Sequence, residues 1–386
     1  MADTSAISWC DHTHNHWIGC TKISPACKLC YAATLMDTRY GKVAWGPESA
    51  GGQRKITKTW GQPLSWARLA WEGKCSGCKG KGTKKRGRRG KTMTYPCPVC
   101  GGSGVLDRRA RVFCGSLMDI FEDWDGPILD SDGNQLFTVS GLNLNQAGVF
   151  TGVRGMLCSR LADRQLCYIV HDEFGTPSYC SCRPLTMADL RRSLFKLIDA
   201  TPELDWLLLT KRPESILDMW DSRATTYRQN VWIGCTVENQ EEADKRLPHL
   251  KACRNLAPVL FTSCEPLLGP IEFGDNLEWI DWVIDGGESG NGARLTDPRW
   301  YRLLQLQCEA HGVAYHHKQN GEWVGEMDSP VPLHTLKPDK IRDDFVGIDE
   351  DVGDYKGFYV AHVGKKAAGR KLFGKVYDEF PEVKHA

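Results

Sequence analysis

The chain has 386 residues, enough for one large core or two modest ones, and its 41% hydrophobic and 25% charged residues are ordinary for a soluble globular protein. A formal net charge of +1 excludes a global pull toward nucleic acid or membrane, so any such contact must be local. No run of about 20 apolar residues is present to span a bilayer. The opening Met-Ala-Asp-Thr-Ser-Ala-Ile is neither a basic start nor an apolar signal core. There are 17 cysteines, an odd number, and no export signal, which points to a cytoplasmic protein whose CxxC pairs hold metal rather than form disulfides.

In chain order the first feature is Trp17-Ile-Gly-Cys20-Thr-Lys-Ile-Ser-Pro-Ala-Cys27-Lys-Leu-Cys30-Tyr31. It puts three cysteines into eleven residues, directly after a short apolar run that reads as a first strand. Three thiolates can hold three irons of a [4Fe–4S] cluster and leave the fourth open to a small chelating ligand such as S-adenosylmethionine. The same cysteines would serve a Cys₃His zinc knuckle completed by His12, His14 or His16. Spacing alone leaves both readings standing, because Cys-x6-Cys-x2-Cys is the standard pattern of neither.

Further strands are expected at 111–115, 206–210, 231–236, 259–263, 282–285 and 313–317. Helical periodicity separates them at 187–200, 213–222, 241–254 and 298–310, with Thr186 and Thr296 as candidate caps. Strands alternating with helices predict an α/β fold with a parallel sheet of βαβ units. A partial or complete β/α barrel fits best, with an open doubly wound sheet as the alternative. The barrel segments are 1–73, 105–122 and 184–336.

Barrel chemistry sits at the C-terminal ends of the strands. Ser116, Met118 and Asp119 follow the second strand, Lys211 and Arg212 the third, Glu238 and Asn239 the fourth, and Glu265 the fifth. Glu288 and Ser289 follow the sixth strand, and Lys318 and Gln319 the last. A rim salt bridge is the bland alternative for any one of them; for the whole set a functional rim is the better reading.

Two insertions interrupt this order. In 74–104, Cys75-Ser-Gly-Cys78 and Cys97-Pro-Val-Cys100 are separated by eighteen residues, the spacing of a four-cysteine zinc site. Glycines after each pair, as in the zinc modules of DnaJ-type chaperones, let backbone N–H groups point at sulfur. Between the pairs run eight positive charges and four glycines, including Lys84, Lys85, Arg86, Arg88 and Arg89. This segment reads as a mobile, solvated arm, and its local charge suits phosphate neutralisation. The second insertion, 123–183, reads as a small β-rich subdomain near the barrel mouth with strands at 135–140 and 166–171. Its Cys158, Cys167, Cys180 and Cys182 could form a further, peripheral zinc site or stay as buried free thiols, since their spacing fits no defined motif. The extension 337–386 is polar and uninformative.

Asn15-His-Trp-Ile-Gly-Cys20-Thr-Lys-Ile-Ser-Pro-Ala-Cys27-Lys-Leu-Cys30-Tyr-Ala32 resembles the opening of a phage-associated family of formerly unknown function related to radical S-adenosylmethionine enzymes. Gly115-Ser-Leu-Met-Asp-Ile-Phe121, Leu209-Thr-Lys-Arg-Pro-Glu214, Val231-Trp-Ile-Gly-Cys-Thr-Val-Glu-Asn239 and Glu265-Pro-Leu-Leu-Gly-Pro270 match the same family in order. So do Asp285-Gly-Gly-Glu-Ser-Gly290 and His317-Lys-Gln-Asn-Gly-Glu-Trp323. Cys10 before Asp11, where Thr is expected, and the two insertions depart from the pattern. The resemblance implies Cys20, Cys27 and Cys30 as [4Fe–4S] ligands and Tyr31 beside bound S-adenosylmethionine. It further implies an electron donor such as flavodoxin or ferredoxin and a monomer without membrane attachment. Gly286-Gly287-Glu288 is similar to the element that holds the methionine amine in radical enzymes, but it follows the sixth strand, so position gives that role to 115–119, with Lys211 also at the cofactor.

Two function classes follow. In one, a reduced cluster cleaves S-adenosylmethionine to a 5′-deoxyadenosyl radical that takes a hydrogen atom from the substrate. In the other, the chain is a zinc-bearing nucleic-acid-binding protein on a structural barrel. Because the resembling family includes phage proteins serving thymidine hypermodification, the expected substrate is DNA. The task would be isomerisation of a glycyl-bearing thymidine, with Glu238, Glu265 or Lys318 orienting the zwitterion. Methyl or methylthio transfer, base-lesion repair like that of spore photoproduct lyase, and action on RNA are the competing readings.

Overall fold

The computed structural model describes residues 4–88, 91–138, 170–171, 177–178, 183–342 and 359–383. Seven parallel strands pair strictly in chain order. They are β1 (His12–His14), β2 (Ala110–Cys114), β3 (Leu204–Thr210), β4 (Val231–Thr236), β5 (Val259–Cys264), β6 (Trp282–Asp285) and β7 (Ala314–His317). The sheet is a parallel half-barrel, the partial form of the expected β/α barrel.

Period-two alternation sorts each strand's side chains to two faces. Val112, Cys114, Trp206, Leu208, Ile233, Leu260 and Val283 pack outward in the main core. That core includes residues of the helices α1 (Gln62–Trp71), α2 (Met187–Asp199) and α4 (Pro298–His311) as well as α3 (Gln240–Lys251). Phe113, Leu207, Trp232, Phe261, Trp282 and Ile284 point inward and, with Trp9, fill the hollow of the half-barrel. The C-terminal extension closes this inner cluster. Phe380 meets Trp282 at 5.1 Å between ring centroids and lies under the Arg111 guanidinium at 3.5 Å. Gly234 leaves the room the inner rings need, since a Cβ there would lie 2.4 Å from the Phe261 ring. Gly234→Ala is therefore expected to cost about 1–3 kcal/mol by overpacking. A denaturant midpoint unchanged from wild type would refute this packing.

Local signals place the helices. Thr186 and Asp189 form the capping box of α2, as the sequence suggests. Thr296 is not the cap of α4: Asp297 is, with Pro298 at the first helical position, while the Thr296 hydroxyl bonds Leu267 O at 2.8 Å. The expected helix at 213–222 is a 3₁₀ turn, Pro213–Ser215, followed by the short helix Ile216–Met219. The first strand also differs from expectation. It is the polar His12-Thr-His14, whereas the apolar Trp17–Ile18 pairs with Arg54–Ile56 in a separate small sheet. Aromatic partners let β1 and the turn after it bury imidazoles: His12 stacks on Trp66 at 4.1 Å and bonds Ser76 Oγ at 2.7 Å, and His16, beyond the strand, stacks on Trp60 at 4.3 Å.

Burial keeps the imidazoles of His14, His16 and His316 neutral. Their pKa values fall to about 3 at His14 and about 3 at His316, and well below the ordinary value at His16. The unfolded chain therefore binds more protons between roughly pH 3 and 6.5, and stability falls as pH drops through that window. Each histidine contributes a slope of up to about 1.4 kcal/mol per pH unit. The melting temperature should drop steadily from pH 7 to 5, and less steeply in His316→Gln. A flat profile would contradict the assignment.

Between the cysteine pairs of 74–104 the described residues take regular structure, which the reading of this segment as an arm does not anticipate. Thr83–Arg88 and Lys91–Pro96 form an antiparallel hairpin, with Lys85 opposite Thr94 and Gly87 opposite Thr92. Two features outweigh charge repulsion here: β-branched threonines on the ladder and cysteines anchoring both ends. In the second insertion, Phe137–Thr138 pairs with Arg183–Pro184, and Val170–His171 with Pro177–Ser178. Cys158, Cys167, Cys180 and Cys182 lie outside the described residues, as does Arg89. Among the described residues no helix is long and apolar enough to cross a membrane.

Candidate cofactor cavity and metal centre

At the C-terminal ends of the strands lies a cavity of about 640 Å³ lined by Cys20, Cys27, Cys30, Tyr31, Ser116, Met118, Asp119, Lys211, Glu265 and Lys318, among others. The loops after β1 and β2 are knit together to form one wall. Asn15 Nδ2 donates to Ser116 Oγ at 2.8 Å, Leu117 N donates to Asn15 Oδ1 at 2.7 Å, and Gly19 N donates to Leu117 O at 3.0 Å. Gly19 has φ +117°, and a Cβ there would lie 2.2 Å from Gln53 O, so only glycine lets the chain turn into Cys20.

Beneath Cys20 sits a buried ion network. Arg54, fully buried, donates to both oxygens of Glu122 at 2.7 Å and to Thr21 Oγ1 at 2.8 Å. Arg212 donates to Asp119 at 2.8 Å, to Thr21 O at 2.9 Å and to Cys20 Sγ at 3.7 Å. Asp119 also accepts from Thr210 Oγ1 at 2.6 Å and Lys211 N at 3.2 Å. Its carboxylate thus anchors the rim while lining the cavity. Arg54 and Glu122 carry no sequence signal, whereas Arg212 is expected at the rim after the third strand.

The turn Pro25–Cys27 is gripped from the far rim. Glu238 accepts from Ala26 N at 3.0 Å and from Arg246 at 2.7 Å. Burial opposes ionisation of Glu238, but Arg246, Ser24 and the Ala26 N–H outweigh it and hold the carboxyl below its usual range. Both oxygens are engaged and the residue does not line the cavity, so it holds the cysteine turn. Glu288 pairs with Arg294, which donates to Pro25 O at 3.0 Å. A Cβ on Gly287 would lie 2.0 Å from Asn320 O, so this glycine serves close backbone approach.

On the opposite wall Glu265 and Lys318 form an ion pair, and Ser263 Oγ is 3.3 Å from Glu265. Lys365, from the C-terminal extension, lines the same cavity. Lys211 Nζ bonds Thr236 Oγ1 at 3.2 Å, and Tyr31 OH donates to Ser116 O at 2.7 Å.

The four cysteines of 74–104 form a separate centre. Their Sγ atoms all lie within 4.8 Å of one another, with Cys75–Cys97 at 4.0 Å and Cys78–Cys100 at 3.8 Å. A tetrahedral zinc with Zn–S bonds of about 2.3 Å needs edges of about 3.8 Å. Gly82 N and Gly104 N donate to Cys78 Sγ at 3.2 Å and Cys100 Sγ at 3.3 Å. Burial raises the thiols of Cys75 and Cys97, whereas backbone N–H groups of Gly102 and Gly104 bring Cys100 down to about 6 against its own desolvation. This is a buried Cys₄ group that can hold a metal such as zinc. Cys20, Cys27 and Cys30 are not gathered this closely, and the histidines of the alternative knuckle are committed elsewhere: His14 Nε2 lies 3.1 Å from His16 Nδ1, and His12 is bound to Ser76.

Fold and site define an α/β half-barrel protein with a cysteine-lined cavity and a second, four-cysteine centre. Residues 4–131 and 185–381 match the family described as "Protein of unknown function (DUF5131)", and the chain belongs to that family. The match runs unbroken through 74–104 and pauses at 132–184, starting nine residues after the expected start of the second insertion at 123 and ending one residue past its expected end at 183. The searches of curated proteins and of solved structures each gave no match.

Proposed function

We propose that the chain is a radical S-adenosylmethionine enzyme that modifies DNA, through a [4Fe–4S] cluster on Cys20, Cys27 and Cys30. The observation carrying this reading is the convergence of three cysteines on one strand-end cavity, set wider than a single ion requires. Such a set suits separate irons of one cluster. A cluster with bound cosubstrate supplies one-electron chemistry able to remove a hydrogen atom from an unactivated carbon.

The chain's own residues do the rest. Arg212, donating to Cys20 Sγ at 3.7 Å, stabilises negative charge on that sulfur. Lys211 presents a cation to a carboxylate, and Tyr31 fixes the wall through Ser116. The paired Glu265 and Lys318 offer both signs to a zwitterionic substituent, which suits a glycyl-bearing thymidine. The isomerisation moves the thymine methylene from nitrogen to the glycyl α-carbon and leaves the atom count unchanged. The cavity lies in the small-molecule range, so the target base must leave the duplex to enter it.

Anaerobic purification tests the cluster: brown protein with about four irons and four labile sulfides per chain is expected. Cys27→Ala should be colourless yet folded. Nucleoside mass spectrometry of DNA treated with reduced enzyme and cosubstrate tests the substrate. A colourless protein that binds only zinc after iron and sulfide reconstitution would replace this reading with a zinc-bearing nucleic-acid-binding protein.

A further inference from the structure

We infer that Lys365 is a phosphate-binding residue at the cavity mouth, gripping the nucleotide whose base enters the cavity. The side chain reaches solvent yet lines the cavity, which places it at the rim. Glu265 and Lys318, 11% and 23% exposed, lie deeper. Among the described residues no carboxylate lining the cavity is left over for Lys365. Asp119 pairs with Arg212, Glu265 with Lys318 and Glu288 with Arg294. Glu322 commits both oxygens to backbone, accepting from Gly290 N at 2.9 Å and from Lys365 N at 3.1 Å. Partial burial, with the neighbouring Lys318, outweighs Glu265 and Glu322 and holds the Lys365 ammonium below the usual lysine range. A partly desolvated cation beside a second cation is relieved by an anion.

The loop that presents Lys365 is fixed from several sides. Val363 N and Gly364 N both donate to Glu322 O at 3.1 Å. Asn320 Nδ2 donates to Ala368 O at 3.0 Å and to Lys371 O at 2.9 Å, and Asn320 N donates to Gly369 O at 3.1 Å. Gly364, with φ +83°, makes the turn directly before the lysine. These contacts join 320–322, just after β7, to 363–371, so the C-terminal extension delivers a cation to the cavity. Phosphate suits this rim better than a carboxylate does. A flipped nucleotide puts its base into the pocket and leaves its phosphates outside, on the continuous backbone. Lys211 and Lys318 are less exposed and offer cations to carboxylates further in. Lysine meets phosphate as a point charge, which a rim position allows. The inference rests on the nucleic-acid half of the proposed function and is independent of its radical half.

Isothermal titration calorimetry of the full chain tests it, without reductant or cosubstrate. The ligands are thymidine, thymidine 5′-monophosphate and the trinucleotide TpTpT. Both phosphate-bearing ligands should bind at least about tenfold tighter than thymidine. Lys365→Gln should erase that advantage while changing thymidine affinity less than about twofold, and Lys365→Arg should keep it. Lys366→Gln, at an exposed neighbour that does not line the cavity, should change all three affinities less than about twofold. Because Lys365 is exposed, its replacement should leave the melting temperature unchanged, so a loss of affinity reports binding rather than folding. Equal losses for thymidine and its phosphate, an unchanged preference in Lys365→Gln, or the same loss in Lys366→Gln would each overturn the inference and leave the nucleic-acid reading in place. A chain that binds none of the three ligands loses both. Tighter binding of TpTpT than of the monophosphate assigns the phosphate to a polynucleotide. The reverse order keeps the inference and replaces DNA with a free nucleotide as the substrate.

Discussion

Arg54→Met is expected to destabilise the protein by about 3–5 kcal/mol and to disorder the loop that carries Cys20. The guanidinium is wholly buried and satisfies both Glu122 oxygens, Thr21 Oγ1 and Gln53 O, the last at 2.8 Å. It also lies 3.9 Å over the Trp124 ring. Removing it strands a carboxylate in the interior, which costs more than the pair contributes. Arg212, 3.5 Å from Glu122, relieves only part of this because Asp119 holds it at 2.8 Å. Lysine should not rescue the site, since it cannot present a planar fork. Chemical denaturation of the single variant beside Arg54→Met with Glu122→Leu checks the argument. The double variant should be the more stable of the two, and a single-variant loss under about 1 kcal/mol would sink the proposed network.

Cys97→Ser is expected to remove one zinc per chain and unfold 74–104 while the half-barrel survives. The module's own apolar cluster consists of Cys75, Cys78 and Cys97 with Val99 and Cys100 against them, far too little to fold a segment of this length. Structural zinc supplies apparent binding energies of about 10–16 kcal/mol in small modules. The outer and inner cores draw on none of these cysteines. Metal analysis with limited proteolysis decides it: new cleavage should fall between 74 and 104 only. Unchanged zinc content would refute the Cys₄ assignment, and simultaneous loss of the barrel would refute its independence.

Strand after strand of the half-barrel is legible in the sequence because β3 to β6 are near-continuous apolar runs buried on both faces. The strand ends then bring Ser116, Asp119, Lys211, Glu265 and Lys318 to one cavity. β1 escaped because its burial depends on Trp60, Trp66 and Trp206, which no periodicity links to His-Thr-His. The hairpin escaped because net charge masks the alternation of its register. The role of Glu238 was unreadable for a different reason. Its partner, Ala26 N, is a backbone group 212 positions away, and a sequence records side chains rather than such pairings.

That same long reach dictates an order of events during synthesis. The turn bearing Cys27 is fastened by Glu238 at a separation of 212 residues and by Arg294 at 269. Neither fastening can form until most of the chain has left the ribosome, since contacts so distant close late. The N-terminal cysteines are thus made first and housed last. Until then they are open thiols, and on the function proposed above their cluster would be assembled after translation, on a nearly finished protein.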